Sequence, residues 1–229
     1  MVTLSDISGS EHLVQTIREN IVAPLKAGSP DGRTLIIIYG PPGTGKTFVG
    51  KAIAGELGLD ITVVKASEGD DVIAGFGAST SEGVVFFDEI DKLEERGILG
   101  DALESLSENV LVVGGTYYPW KLKDLKFSGT LSTIFLPEPG LEARKSILSE
   151  FLGEKRGDVD VEKIAVLTEG YTASDIHALI KNSDFDEIEE TISQTKPTTL
   201  SDWILAVKEN EDQLDPIAYK KLLEWIRER

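Results

Sequence analysis

Eight consecutive residues carry the strongest chemical pattern in this chain. They fit the spacing G-x-x-x-x-G-K-[ST], and they are Gly40, Pro41, Pro42, Gly43, Thr44, Gly45, Lys46 and Thr47. Glycines let the backbone curl so that successive N–H groups point at phosphate oxygens. Lys46 would reach the β- and γ-phosphates, and Thr47 would offer its hydroxyl to Mg²⁺. The pattern predicts a site for ATP with Mg²⁺, and Phe48 extends the predicted nucleotide-binding segment by one residue.

A glycine-rich turn that matches the pattern by chance is the alternative. An apolar run precedes the motif and a helical pattern follows it, which is the context that a phosphate-binding loop needs. The N-terminal end of that helix would add the positive end of its dipole at the phosphates.

The second motif is an acidic pair that follows the apolar run Val84–Phe87. Asp88 would hold the magnesium ion through its water shell. Glu89 would polarise the attacking water as a general base. We therefore predict Glu89 and Lys46 as the catalytic residues, and Thr47 and Asp88 as the residues that bind the metal.

Five short apolar runs would place these motifs at one edge of a sheet. They are Leu35–Tyr39, Ile61–Ala66, Val84–Phe87, Val110–Gly114 and Ser132–Leu136. Helical patterns lie between several of them, notably at 46–57 and 98–108. Nearly continuous hydrophobicity is typical of strands buried on both faces, and alternating strands and helices indicate a parallel sheet. The expected fold is α/β, a P-loop NTPase sheet of five parallel strands between helices.

The pattern changes after Pro137 and Pro139, because only helical segments follow. Helices are predicted at 11–26 before the first strand, and at 141–152, 160–168, 173–183, 199–209 and 215–228 after the last. We predict two domains, a nucleotide-binding domain at 1–139 and a small helical lid domain at 140–229. The acidic stretch Asp184–Glu190 is interpreted as a solvated helix face.

Composition restricts the remaining functions. The chain has 229 residues, no cysteine and two histidines, which argues against disulfides and thiolate or histidine metal sites. Its formal net charge of −17 disfavours nucleic acid as the main partner, because such binding depends on neutralising phosphates. The N-terminus lacks the pattern of a signal peptide, and no run of about 18 apolar residues predicts a membrane helix. We expect a cytoplasmic protein.

These motifs resemble the AAA family of the AAA+ ATPases, in its branch of archaeal and eukaryotic protein-remodelling ATPases. The resemblance extends over nearly the whole chain. The segments at 5–9, 39–47 and 86–91 are similar to the family's "DIGG", "YGPPGTGKT" and "FFDEID" motifs, and 169–176 is similar to "EGYTGADI" of its lid. The family implies ATP and Mg²⁺ as cofactors and a protein as client or partner.

The same resemblance implies contacts with the adenine or ribose. Ile7, Gly170 and Ala173 stand at the positions that border the nucleoside in the family. Each has a plainer explanation: Ile7 as a core residue, Gly170 as a helix terminus and Ala173 as a packing residue.

Other positions depart from the family pattern. Tyr117 stands where the family has an Asn that positions the attacking water, and Thr116 is a possible substitute. The segment Lys126–Leu131 replaces "RPGRFD", so Phe127 and Thr130 take the place of the arginine fingers. Because an arginine finger contributes about 10³–10⁵ to the rate of phosphoryl transfer, we expect slow hydrolysis by the isolated protein.

The loops that grip polypeptide in this family are also short here. Residues 67–83 contain Phe76 as their only aromatic residue, which is either a residual gripping residue or an ordinary loop anchor. The leading hypothesis is an ATP-dependent conformational switch or remodeller of a protein partner. A ring-forming unfoldase, a non-hydrolysing accessory subunit of a mixed complex and a remodeller of nucleic-acid machinery remain alternatives, and the sequence leaves homo-oligomerisation open.

Overall fold

One parallel sheet of five strands organises the N-terminal part of the chain. The computed structural model describes residues 1–28, 33–66, 82–95, 97–153, 159–182, 187–194 and 199–210. The strands are β1 (Thr34–Tyr39), β2 (Ile61–Lys65), β3 (Gly83–Asp88), β4 (Val110–Thr116) and β5 (Thr130–Phe135). Their order across the sheet is β2-β3-β4-β1-β5, and each neighbouring pair is parallel. The predicted α/β fold with five parallel strands is confirmed.

The burial of the strands explains their hydrophobicity. Every residue of the central strands β1 and β4 is buried, which accounts for their continuous apolar runs. The edge strand β5 alternates between more and less exposed positions. It begins earlier than the predicted Ser132, because Thr130 pairs with Thr34 and its N–H donates to the carbonyl oxygen of Arg33.

Helices flank the sheet and continue after it. A helical segment at the N-terminus consists of α1 (Glu11–Ile17), a π-helical turn (Arg18–Val22) and α2 (Ala23–Lys26). Within the described ranges, the α-helices between the strands are α3 (Lys46–Leu57), α4 (Ile90–Glu95) and α5 (Leu99–Ser105). After β5 come α6 (Leu141–Leu152), α7 (Val161–Leu167), α8 (Ala173–Asn182), α9 (Ile188–Gln194) and α10 (Thr199–Glu209).

Two hydrophobic cores lie on opposite faces of the sheet. On one face, Ile36 and Ile38 of β1 pack in a cluster with Ile53 of α3. On the other face, Leu35 and Ile37 belong to a cluster that includes residues of α4 and α5. The alternation follows from the two-residue period of a strand. The sheet is therefore covered by helices on both sides. Because its strands are parallel, the carboxyl ends of β1, β3 and β4 lie at one edge.

A third core joins the helices that follow β5. Leu148 of α6, Ile164 of α7 and Ile176 of α8 are buried in it. Helix α10 differs, because its Trp203 and Val207 are buried in a cluster with residues of the sheet region. The predicted boundary near Pro139 stays a prediction.

Several sequence predictions lie partly or wholly outside the described residues. The helix predicted at 215–228 and the loop residue Phe76 are among them. Of the acidic stretch, residues 187–190 are described, and their three acidic residues, Glu187, Glu189 and Glu190, are exposed at the start of α9. Among the helices that the structure describes, none has the length and apolar character to cross a membrane.

Candidate nucleotide-binding site

The turn from β1 into α3 has a backbone that accommodates no side chain at its first residue. Gly40 has a φ of 151°, and a Cβ atom there would lie 2.1 Å from the carbonyl oxygen of Leu136. The N–H of Leu136 in turn donates to the carbonyl oxygen of Tyr39 at 2.8 Å. The hydroxyl of Thr44 donates to the carbonyl oxygen of Pro41 at 2.9 Å and closes the turn. The predicted loop thus lies at the carboxyl edge of the sheet, where ligands bind in such folds.

Lys46 is the first residue of α3 and its side chain is folded into the loop. It is only 5% exposed, and its Nζ donates to the carbonyl oxygens of Gly40 at 3.0 Å and Pro41 at 2.7 Å. Burial lowers the pKa of Lys46 to about 7, while the charges of Asp88 and Asp91 act in the opposite direction. A buried ammonium with this environment gains strongly from an anion placed in the loop.

The next two residues of α3 differ in exposure. Thr47 is half-buried in the first turn, which places it directly after Lys46 at the loop. Phe48 is 36% exposed. Pro42 and Gly45 are half-buried parts of the turn.

The predicted acidic pair lies at the carboxyl end of β3. Burial and the neighbouring Glu89 raise the pKa of Asp88, and Lys46 opposes them. Among the described residues, Glu89 is the only non-glycine residue with a positive φ, at 59°. Such a conformation costs about 1–3 kcal/mol and is concentrated at functional sites. Its carboxylate forms an ion pair with Lys92 at 2.6 Å.

Asp91 and Thr116 form a buried pair beside this acidic pair. The Thr116 hydroxyl donates to Oδ1 of Asp91 at 2.5 Å and accepts from the N–H of Tyr118 at 2.9 Å. Both side chains are almost fully buried. Thr116, considered above as a possible substitute for the water-positioning Asn, uses its hydroxyl to connect β4 to α4.

Tyr117 is a contact of the site that the sequence patterns did not assign. The Nζ of Lys46 lies 4.3 Å from the centre of the Tyr117 ring, a cation–π distance. Burial raises the pKa of the Tyr117 hydroxyl, and Asp88, Glu89 and Asp91 raise it further. The departure of Tyr117 from the family pattern was the only signal in the sequence that pointed to this position.

The segment before α8 contacts the loop directly. The N–H of Ser174 donates to the carbonyl oxygen of Gly43 at 3.1 Å. Gly43 has a φ of 77°, and a Cβ atom there would lie 2.6 Å from Oγ1 of Thr172 and 2.9 Å from Cβ of Ser174. Thr172 and Asp175 cap the start of α8 reciprocally.

The three residues predicted at the nucleoside lie in two places. Ala173 lies between Thr172 and Ser174, which approach Gly43, and Gly170, with a φ of 81°, precedes this segment. Ile7 is half-buried and packs against the core cluster that contains Ile53. This placement brings Ala173 to the loop, whereas the contacts of Ile7 are those of a core residue. The binding roles of all three stay predictions.

The residues present fit a polyphosphate and a hard cation. Three features favour an anion. The turn passes close to the backbone of Leu136 at Gly40, a helix of 12 residues begins at Lys46, and the Lys46 ammonium is buried. The half-buried hydroxyl of Thr47 and the carboxylate of Asp88 are oxygen donors of the kind that Mg²⁺ takes together with phosphates.

Comparisons with known proteins agree with this geometry. The model of the family "ATPase family associated with various cellular activities (AAA)" matches residues 36–135, and that of the AAA+ lid domain matches 158–201. The chain belongs to the AAA family of ATPases.

Its relatives include both eukaryotic and archaeal proteins. The "ATPase family AAA domain-containing protein FIGL1" of Arabidopsis thaliana is 32% identical over 84% of this chain and 34% of its own length. "Cell division protein C" of Sulfolobus acidocaldarius is 31% identical over 82% of this chain and 60% of its own length. The chain therefore spans between a third and three fifths of the length of these relatives.

A solved structure shares the AAA fold of this chain. It is described as "Structural Basis for Katanin Self-Assembly", with a TM-score of 0.70 and 23% identity over 92% of this chain and 91% of the other.

The departures from the AAA pattern have structural explanations. Phe127, at one expected arginine-finger position, packs against the core that contains Leu35. Thr130, at the other, begins β5. Arg144 is 6% exposed and donates to the carbonyl oxygens of Ala165 and Pro139, so its guanidinium is used within the protein.

Proposed function

We propose that this AAA protein binds ATP with Mg²⁺ in the loop 40–47, hydrolyses it slowly when alone and acts as a nucleotide-dependent switch on a protein partner. The observation that carries the proposal is the buried ammonium of Lys46, held inside a glycine-rich loop that α8 also contacts.

Each residue of the loop and of the acidic pair has a distinct role in this proposal. Lys46 binds the β- and γ-phosphates, and Thr47 and Asp88 hold Mg²⁺. The bound metal would neutralise charge on the phosphates. Glu89 orients and deprotonates the attacking water. Its carboxylate also forms an ion pair with Lys92 at 2.6 Å.

The contact between Gly43 and Ser174 is the means by which nucleotide state reaches the helical region. The carbonyl oxygen of Gly43 accepts from Ser174 in the same loop whose N–H groups would surround the phosphates. Filling the loop with phosphate fixes its backbone, and the start of α8 is fixed with it. A protein partner that contacts the helical region would then distinguish the two states.

The sequence at 126–131 supports slow hydrolysis. Neither Phe127 nor Thr130 supplies a guanidinium, and Phe127 is directed into a core. Lys126 lies nearby, but an ammonium lacks the planar, bidentate geometry of arginine.

These same positions favour a second candidate function. A subunit that binds ATP but gives no arginine to its neighbour would function as an accessory subunit in a mixed AAA assembly. Its own nucleotide would be hydrolysed only when a different chain provides the missing cation.

One experiment tests the proposal and separates the candidates. The mass of the protein in solution is measured with and without ATP and Mg²⁺, and phosphate release is followed on the same sample. Slow turnover that depends on Mg²⁺ with no change of mass is expected for the switch. A ring with fast turnover would contradict it, and ATP binding without any phosphate release would support the accessory subunit.

A further inference from the structure

The side chain of Lys46 makes three contacts within the protein. Two are the hydrogen bonds to the carbonyl oxygens of Gly40 and Pro41, and the third is the face of the Tyr117 ring, 4.3 Å from Nζ to the ring centre. A cation over an aromatic face is stabilised most when both are removed from water. Lys46 is buried and Tyr117 is half-buried, so this contact is partly removed from water.

Phosphate and ring compete for the same ammonium. An ammonium has three N–H donors, and its surroundings here are the two carbonyl oxygens and the ring face, so a phosphate that accepts from Nζ must replace at least one of these contacts. A contact that is lost in this exchange weakens ATP binding by its own free energy. An Asn at position 117, as the family pattern has, would offer no such aromatic face.

The position of Tyr117 is fixed by helix α10. The indole Nε1 of Trp203 donates to the carbonyl oxygen of Tyr117 at 2.7 Å, across 86 residues of sequence. The Trp203 ring also stacks on Phe135, with ring centres 6.3 Å apart and an angle of 11° between planes. Phe135 in turn contacts Tyr39, the residue before Gly40. Trp203 is 3% exposed, so the anchor is a buried one.

We infer that Tyr117 is a positioning residue that holds the Lys46 ammonium on the loop, and that Trp203 of α10 keeps Tyr117 in place for this role. ATP must displace the ammonium from the ring, so Tyr117 lowers the affinity for ATP. By reciprocity, ATP binding frees Tyr117 and weakens the attachment of α10 to the sheet region. The inference rests on the proposed function of Lys46 as the phosphate-binding cation.

The test is a series of substitutions at Tyr117. Two of them vary the electron density of the ring face at nearly constant shape, and a third removes the ring. Tyr117→Phe keeps the aromatic face and is expected to bind a fluorescent, non-hydrolysable ATP analogue within about twofold of wild type. A trifluorophenylalanine at the same position has an electron-poor face and is expected to bind the analogue about fivefold more tightly. Tyr117→Leu, which has no ring, should also bind more tightly.

Tighter binding is a result that structural damage would not produce. Equal or weaker binding by both the fluorinated and the Leu variants would overturn the role of Tyr117. If Tyr117→Leu does not fold, the fluorinated variant decides alone, because its shape matches the Phe variant. Lys46→Ala is titrated beside them: wild-type affinity there would overturn the proposed ATP site itself, whereas lost affinity with no trend at Tyr117 overturns only this inference.

The role of Trp203 is tested separately. Trp203→Phe keeps a ring against Phe135 but removes the donor to Tyr117, and it is expected to bind the analogue about twofold more tightly. Leu205→Ala is the matched control, since Leu205 is 56% exposed on the same helix and should leave the affinity unchanged. Hydrogen exchange in α10 should accelerate when the analogue binds. Unchanged exchange together with unchanged affinity in Trp203→Phe would overturn the coupling.

Discussion

In the AAA pattern, the nucleotide loop and the segment that corresponds to 126–131 both serve ATP hydrolysis. In this chain only the loop keeps the residue types of that pattern. In the loop, the ammonium of Lys46 is buried and faces two carbonyl groups and a ring. In the other segment, Phe127 packs into a core and Thr130 begins a strand. The first region has the groups that bind a nucleotide, whereas the second provides no guanidinium for a neighbour.

This difference suggests that binding and activation were separated in this chain. A phosphate site needs glycine, lysine and a helix start within one short segment, so it can persist by itself. The arginine fingers of the AAA pattern, in contrast, act on the nucleotide of a neighbouring subunit. The following predictions test whether the two regions are separable, beginning with the largest expected effect.

Glu89→Gln should abolish most hydrolysis and leave ATP binding intact. The amide preserves shape but cannot accept the proton of the attacking water, a loss of about 10²–10⁴-fold in rate. Phosphate release and analogue titration on the same protein measure both properties. Glu104→Gln, at an exposed position of α5, is the control. Turnover equal to wild type in Glu89→Gln would mean that the activity does not arise at this site.

Lys46→Ala should remove ATP binding itself. Truncating a buried cation that pairs with phosphate costs about 2–5 kcal/mol, or about 30- to 5000-fold in affinity. Titration with a fluorescent ATP analogue measures the change, and Lys51→Ala on the exposed face of α3 is the control. Unchanged affinity would show that the nucleotide binds elsewhere.

Gly43→Ala should damage the contact between the loop and α8. The added methyl group meets Thr172 and Ser174, and the φ of 77° is strained for alanine. Gly58→Ala has a similar φ of 71° and no neighbour within 4 Å, so it isolates the strain. Gly58→Ala should lose about 1–2 kcal/mol of folding free energy in thermal or urea unfolding from the strain alone, and Gly43→Ala should lose more because of the added clash. Only Gly43→Ala is expected to bind ATP more weakly, and equal affinities would argue against the Gly43–Ser174 contact as a switch.

Thr130→Arg should have the smallest effect in the pure protein. Without a neighbouring subunit at the site, an added guanidinium reaches no γ-phosphate, and turnover per chain should also stay constant as protein concentration rises. Phosphate release across a concentration series measures both. A steep rise with concentration, or a faster Thr130→Arg variant, would show that the chain forms its own activating interface.

Local patterns were sufficient for the sheet and for the phosphate loop. Strands β1 and β4 are buried along their whole length, so their apolar runs identified them without any other information. The ends of β5 were predicted less well, because its register with β1 begins at Thr130 and depends on pairing rather than on hydrophobicity.

The sequence by itself therefore determined the parallel α/β fold and a loop with the residue types for phosphate, since both depend on short segments with one strong preference. Only the tertiary structure decided which side chain faces Lys46. Tyr117 reaches it because β4 lies beside β1, and Trp203 reaches Tyr117 because α10 packs against the sheet region. Contacts between residues 71 to 86 positions apart leave no periodic signal in a single sequence, because they follow from how whole elements pack.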